Sequence, residues 1–266
     1  MDEAMRRVDN KPIPNDRDEV RLFMVGIDSA GQIPYVLNHH FDIGVDRVFY
    51  IDNNSSDNSL EVLAEYDRVH VWSQHQPFSG AGTPAKSGAA WMEELMRRYA
   101  IGNWCLLADT DELFAYPGFK TRSIQDFIAS LDGDFVRADF IDLYSDSKVK
   151  DTVVSGSFLE TCPYTDKDGG SCRHRVLGFM PLRFKMPLFK YAPEIRVDAG
   201  FHTINGGKKL AGAECYVLHF KFTSVLAGKL AAHGHKMTQG KMKMQVYKDI
   251  GEVNFYDPEV SIRFEA

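Results

Sequence analysis

The sequence predicts an α/β fold, a mostly parallel sheet flanked by helices. Three observations predict it. Short apolar runs alternate with stretches of helical periodicity between residues 20 and 107, the pattern of a parallel sheet whose crossovers are helices. The strand-like runs are apolar almost throughout, as strands covered on both faces are. The chain has 266 residues, 44% of them hydrophobic and 26% charged, enough for a core of that kind without disulfide staples.

The elements follow in order. Residues 1–19 are polar and proline-bearing and are expected as a tail. Val20–Ile27 (VRLFMVGI) is a buried strand. Ile33, Val36, Leu37, His40 and Phe41 recur at helical spacing, and Gly44 suits the stop. Val45–Ile51 is a second strand. Asn53–Asp57 has turn chemistry, with Ser56 or Asp57 as a cap for a helix through Leu60, Val62, Leu63 and Tyr66. Val69–Trp72 is a third strand. A glycine-rich loop (Phe78–Pro84) precedes a helix from about Ala85 to Tyr99, whose Trp91, Met92, Leu95, Met96 and Tyr99 fit a 3.6-residue period. Trp104–Leu107 is a fourth strand and runs straight into Asp109-Thr110-Asp111-Glu112. Ser123-x-x-Asp126 resembles a capping box before a helix over Ile124–Leu131. Phe135–Tyr144 is a strand, and residues 150–214 are irregular. In Cys215–Phe222, Tyr216, Leu218, Phe220 and Phe222 are expected on one face and His219 and Lys221 on the other. The organisation expected is a polar tail (1–19), a main domain (20–225) and a basic C-terminal extension (226–266).

Composition narrows the function. The formal charge of -6 argues against a nucleic-acid partner. No apolar run approaches the roughly 18 residues of a bilayer span, and the first residues lack a secretion signal, so a cytoplasmic protein is expected. Cys105, Cys162, Cys172 and Cys215 are scattered, as free thiols are. Cys162, Cys172 and His174 sketch a zinc site, but no C-x-x-C spacing supports it.

The residues that carry chemistry cluster at predicted strand ends, where ligands of such sheets bind. Asp109 and Asp111 are two carboxylates two residues apart after a buried strand. Such a pair holds Mg²⁺ or Mn²⁺ together with substrate phosphate oxygens, and the cation neutralises a departing diphosphate. Asp52 ends the second strand, where a carboxylate accepts from a base N–H or a ribose hydroxyl. Gly80 to Ser87 approaches a phosphate-binding loop, but Ala85 stands in place of glycine and Pro84 removes a donor. Lys86 at a helix start still suits a phosphate or a base. Lys185, beside Arg183 on one strand face, and the pair His219 and Lys221 suit a phosphate or metal site. Residues 221–248 hold six lysines and no acid, as a solvated helix face does, or a basic segment lying on anionic lipid.

The order of these segments resembles the family-2-like glycosyltransferases of the GT-A fold. Gly44-Val45-Asp46-Arg47-Val48-Phe49-Tyr50-Ile51-Asp52 and Trp104-Cys105-Leu106-Leu107-Ala108-Asp109-Thr110-Asp111-Glu112 carry the likeness. Ile141-Asp142-Leu143-Tyr144, Arg173-His174-Arg175, Lys185-Met186-Pro187-Leu188 and His219-Phe220-Lys221-Phe222 are similar to a bacterial branch of it. The resemblance spans residues 20–225. It implies an inverting transfer from a nucleotide-sugar to a carbohydrate or lipid-linked hydroxyl acceptor, with Mn²⁺ or Mg²⁺, in bacterial surface glycan or glycolipid assembly. Asp52, Lys86, Asp109, Lys185 and Lys221 would bind the donor, and Asp111 and His219 the metal. Related sequences often carry Asn-Glu after the first strand, where this chain has Asp28-Ser29-Ala30. Asp142 is the first candidate for the general base and Glu160 the second. The alternative is a haloacid-dehalogenase-like phosphatase with Asp109 as nucleophile, although its motif normally opens the domain and continues with glycine. A non-enzymatic carbohydrate- or lipid-surface-binding module is a third reading.

Overall fold

The computed structural model describes residues 5–76, 87–198, 201–233, 247 and 249–265. In chain order they form β1 (Arg6–Arg7), β2 (Val20–Gly26), α1 (Ile33–Asp42), β3 (Arg47–Asp52), α2 (Ser59–Ala64), β4 (Val69–Ser73), α3 (Ser87–Tyr99), β5 (Trp104–Leu107), β6 (Glu112–Ala115) and α4 (Ile124–Ala129). Then come β7 (Ala138–Asp142), α5 (Phe158–Thr161), β8 (Tyr164–Asp166), α6 (Cys172–Leu177), β9 (Phe184–Lys185), β10 (Leu188–Lys190), β11 (Arg196–Val197), β12 (Ile204–Asn205), β13 (Cys215–His219), α7 (Ser224–His233) and β14 (Ser261–Arg263). Among the described residues no helix is long and apolar enough to cross a membrane.

The chain divides into two compact units. One comprises residues 1–139 and 184–217, the other 140–183 and 218–266. The boundaries differ from those expected at 19/20 and 225/226, because local periodicity does not report which distant segments pack together.

The first unit is built on a sheet of order β1-β4-β3-β2-β5-β10. β4, β3, β2 and β5 are parallel, and the edge strands β1 and β10 are antiparallel. Phe23, Phe49, Ile51 and Trp72 pack with Trp91, Met92, Leu95 and Met96 of α3. Their strand neighbours Leu22, Met24, Val48 and Tyr50, on the opposite face by the pleat, are equally buried. A sheet buried on both sides explains why these strands read as continuous apolar runs. In α1, Ile33, Val36, Leu37 and His40 are the buried positions, and Gly44 ends it at φ +102°, a conformation that only glycine adopts cheaply. The Ser123 side chain accepts from the Asp126 N–H at 3.1 Å and donates to its carboxylate at 2.8 Å, which caps α4 as the spacing predicts.

The N-terminal segment is more than a tail. Arg6 and Arg7 pair with Ser73 and Trp72 as an edge strand. The Asp9 carboxylate accepts from the Val71 N–H at 2.7 Å and the Lys11 N–H at 2.9 Å. The Lys11 ammonium donates to the Tyr66 carbonyl at 2.6 Å, just beyond the C-terminus of α2. Polar residues docked by hydrogen bonds leave no hydrophobic period to read.

The second unit has its own apolar cluster of Tyr144, Val149, Cys172, Phe222, Ile250 and Phe255. The segment expected as a basic extension contributes to it. Leu226, Ala227 and Leu230 of α7 pack against this cluster, and β14 pairs with β8. Lys236, Lys241, Lys243 and Lys248 lie outside the described residues. Tyr144 donates to Asp166 at 2.6 Å, and Arg175 donates to Asp166 and to the Phe255 carbonyl. The 215–222 stretch departs from its predicted alternation. Strand β13 ends at His219, and Val217, Leu218, His219 and Phe220 are all buried. Burial on both faces removes the wet side that alternation implied. All four cysteines are free, as expected, and all four are buried.

Candidate functional site

Parallel strand order creates the site in the first unit. From β2 the chain builds outward through β3 and β4, then returns past β2 to place β5 on the other side. The reversal lies between β2 and β5, and the crevice beyond the carboxyl ends at such a reversal is where α/β sheets bind ligands. The Asp109-Thr110-Asp111-Glu112 turn leaves β5 there, and Gly26 and Asp28 leave β2. Asp52, paired in register with Gly26, ends β3.

The turn is held from inside. Thr110 is buried, and its hydroxyl lies 3.2 Å from the Ser29 hydroxyl. Asp109 and Asp111 on either side of it are part-exposed. Glu112 is only 2% exposed. Its Oε2 accepts from the Asp109 N–H at 2.9 Å and from the Lys185 ammonium at 2.5 Å. Lys185 is 0% exposed. Burial works to lower its pKa, but Glu112, Asp109 and Asp111 outweigh burial and raise it. His202 lies in the same field, where burial and Lys185 hold its pKa down. Lys185, expected as a phosphate contact, is thus enclosed on Glu112.

Gly26 brings the strand ends together. A Cβ there would stand 1.8 Å from the Tyr50 hydroxyl oxygen and 3.0 Å from Thr110 Cγ2. Asp52 is 1% exposed; its Oδ2 accepts from the Ser55 N–H at 3.2 Å, while its buried Oδ1 has no hydrogen-bond partner among the described residues. Burial, with the nearby Asp57 charge, pushes the Asp52 carboxyl up. Asp28 does a different job. At φ +44° its carboxylate accepts from the Ser56 N–H at 2.6 Å and the Asp57 N–H at 3.2 Å, locking the turn after β3. Asn58, not Ser56 or Asp57, stands at the N-cap of α2, and Asp57 accepts from the first N–H of the helix, that of Ser59, at 3.0 Å. Lys86 and the glycine-rich loop lie outside the described residues.

The second unit gathers Asp142, Arg173 and His219. Arg173 Nε donates to Asp142 Oδ2 at 2.8 Å, and the other carboxylate oxygen lies 2.7 Å from His219 Nδ1. Burial would raise the Asp142 pKa, but Arg173 and His219 hold it well below the usual carboxylate range. A carboxylate so stabilised is a weak proton acceptor, which argues against the expected general base. Arg173 was legible only as part of a cationic stretch, because its partner is 31 residues away. Glu160 is exposed on the four-residue α5. Its N–H donates to the Ser157 hydroxyl at 3.1 Å, and its carboxylate lies over Gly156, a capping arrangement. Lys221 is part-exposed just beyond β13.

The residues present fit a divalent cation of one kind. Among the described residues no three His, Cys, Asp or Glu side chains converge as a ready-made cage. Two part-exposed carboxylates on a turn instead suit a hard cation that takes its other oxygens from substrate phosphate and water. A separate cavity of about 640 Å³, lined by Ile101, Gly102, Leu131, Tyr191 and Ile195 among others, opens at the other end of β5 and contains none of the sequence-predicted residues.

No protein-family model matches the chain, and no curated protein matches it. Solved structures to which it is similar include residues 1–349 of TarS from S. aureus, at 13% identity and TM-score 0.39, covering 76% of this chain and 60% of that one. Another is glucosyl-3-phosphoglycerate synthase from Mycobacterium tuberculosis in complex with Mn²⁺, UDP and glucosyl-3-phosphoglycerate, at 13% identity and TM-score 0.31, covering 46% of this chain and 44% of that one. A third is HddC from Yersinia pseudotuberculosis, at 11% identity and TM-score 0.33, covering 83% and 82%. The chain therefore spans less than two thirds of the TarS and synthase chains.

Proposed function

We propose that this chain is a divalent-metal-dependent glycosyltransferase that moves a sugar from a nucleoside-diphosphate donor to a hydroxyl acceptor. One observation carries the reading. A part-exposed carboxylate pair, Asp109 and Asp111, leaves β5 at the strand-order reversal, across Gly26 from the strand end that carries the buried Oδ1 of Asp52, which has no partner among the described residues.

Asp109 and Asp111 would hold Mn²⁺ or Mg²⁺, which when bound neutralises charge on the diphosphate. Asp52 Oδ1, buried and without a hydrogen-bond partner among the described residues, would accept from the nucleoside, a base N–H or a ribose hydroxyl, once the side chains that cover it give way. Thr110, Ser29 and Glu112 keep the turn in place, so alignment costs little on binding. Asp142 serves to orient His219 through Nδ1 rather than to take the acceptor proton. The sugar acceptor is a carbohydrate or a lipid-linked glycan in this proposal.

The test is a thermal-shift screen of UDP, GDP, CDP and dTDP with and without Mn²⁺. A ligand that binds the native state raises the midpoint by mass action. One diphosphate is expected to raise it strongly only with Mn²⁺, and Asp109→Asn or Asp111→Asn should abolish the Mn²⁺-dependent part. If those folded variants transfer or hydrolyse a nucleotide-sugar as well as the parent, the proposal fails.

A further inference from the structure

We infer that Lys185 is a buried positioning residue that balances the charge of Glu112 and so limits the negative charge of the turn whose Asp109 and Asp111 would hold a divalent cation. The inference rests on the metal-binding reading of the Asp109–Asp111 turn and adds a positioning residue to it.

Three acids fall within four consecutive residues, Asp109, Asp111 and Glu112. Left to themselves they would put three negative charges on one turn. Glu112 is the buried one, and it is committed twice through the same oxygen, to the Asp109 N–H and to the Lys185 ammonium. Lys185 cannot swing to solvent, since its side chain is 0% exposed. Its backbone is fixed as well: its Cα pairs with Ala138 in the β7–β9 ladder. The Lys185 ammonium is already paired with Glu112 beneath the turn. The lysine thus cancels the charge of Glu112 within the turn.

A plain structural ion pair would look the same in a distance table, so the test must read charge. Mn²⁺ alone is titrated into the full chain at low ionic strength, and free Mn²⁺ is followed by electron paramagnetic resonance. The variants are Glu112→Gln, Lys185→Met and the double variant, each checked for folding by circular dichroism. Glutamine keeps an acceptor for the Asp109 N–H while removing the charge. The charge beneath the turn changes by +1, −1 and 0. Mn²⁺ affinity is expected to fall about tenfold in Glu112→Gln, to rise about tenfold in Lys185→Met, and to return within about threefold of the parent in the double variant. Should both single variants weaken binding, or the double variant fail to recover it, Lys185 is only structural and the inference is overturned. If one single variant does not fold, the other still decides by the direction in which Mn²⁺ affinity moves, because a merely structural pair predicts weakening in both. A parent that binds no Mn²⁺ at millimolar concentration would instead overturn the metal reading beneath it.

Discussion

Asp52 and Asp142 show how burial gives two aspartates opposite properties. Asp52 is enclosed with one oxygen unpartnered among the described residues, so its ionised form is costly and its pKa is pushed up. A carboxyl whose folded pKa lies above its unfolded value reduces stability at neutral pH. Asp52→Asn is therefore expected to raise the melting temperature while weakening nucleoside-diphosphate binding about tenfold, the trade expected of a binding residue. Calorimetry and isothermal titration on the same variant check both halves. Asp142 is enclosed with Arg173 and His219, and its carboxylate is stabilised. Removing Arg173 leaves that carboxylate without its main counter-charge. Arg173→Leu should lose about 3–5 kcal/mol in urea unfolding, while Arg173→Leu with Asp142→Leu should lose markedly less. Both aspartates were legible in the sequence as acids near strand ends. Which one was paired was not, because the partner Arg173 is far away along the chain.

Among the elements, those with a strong apolar period were the most legible. α1, α3 and β5 lie where spacing puts them, since residues facing one core recur at the period of the element that presents them. Local capping at Ser123 was equally legible, because donor and acceptor are three residues apart. β1 was not, because Arg6 and Arg7 have no apolar pattern and owe their place to Asp9 and the edge of β4. This gives a test. Asp9→Ala leaves the Val71 N–H and His70 without their carboxylate partner and should cost about 1–3 kcal/mol in urea unfolding. An unchanged midpoint would mean that the N-terminal segment is not docked on β4. The loop before β7 is constrained by contact instead. A Cβ on Gly133 would stand 2.5 Å from the Lys209 carbonyl oxygen, so Gly133→Ala should destabilise by about 1–3 kcal/mol.

Across the whole molecule, the buried histidines and Asp9 favour neutral over acid conditions and outnumber Asp52, which acts the other way. Burial, with His39 nearby, lowers the His40 pKa to about 3, and His39 and His70 are lowered too. The unfolded chain takes up these protons below about pH 6.5 while the folded chain does not, so stability falls as pH falls. Asp9 acts in the same direction. Burial opposes ionisation, but hydrogen bonds from Arg7, Val71, Lys11 and His70 bring its pKa down to about 2, and its contribution is lost as pH falls below about 4. The melting temperature is expected to decline steadily from pH 7 to pH 4. His40→Phe should flatten that slope, and an equally steep slope in the variant would assign it elsewhere.

The sequence by itself determined the α/β class, the parallel core strands, the placing of Asp109 and Asp111 after β5, and Asp52 at the end of β3. Each of these follows from neighbours close along the chain, where side-chain period and turn chemistry act. Only the tertiary structure decided the docking of residues 5–19, the division at residues 139/140, 183/184 and 217/218, and the enclosure of Lys185 beneath Glu112. It also decided the pairing of Asp142 with Arg173 and His219. The physical reason is the same in each case: a charged side chain is soluble or buried according to whether an opposite charge meets it, and here the meeting groups are tens of residues apart.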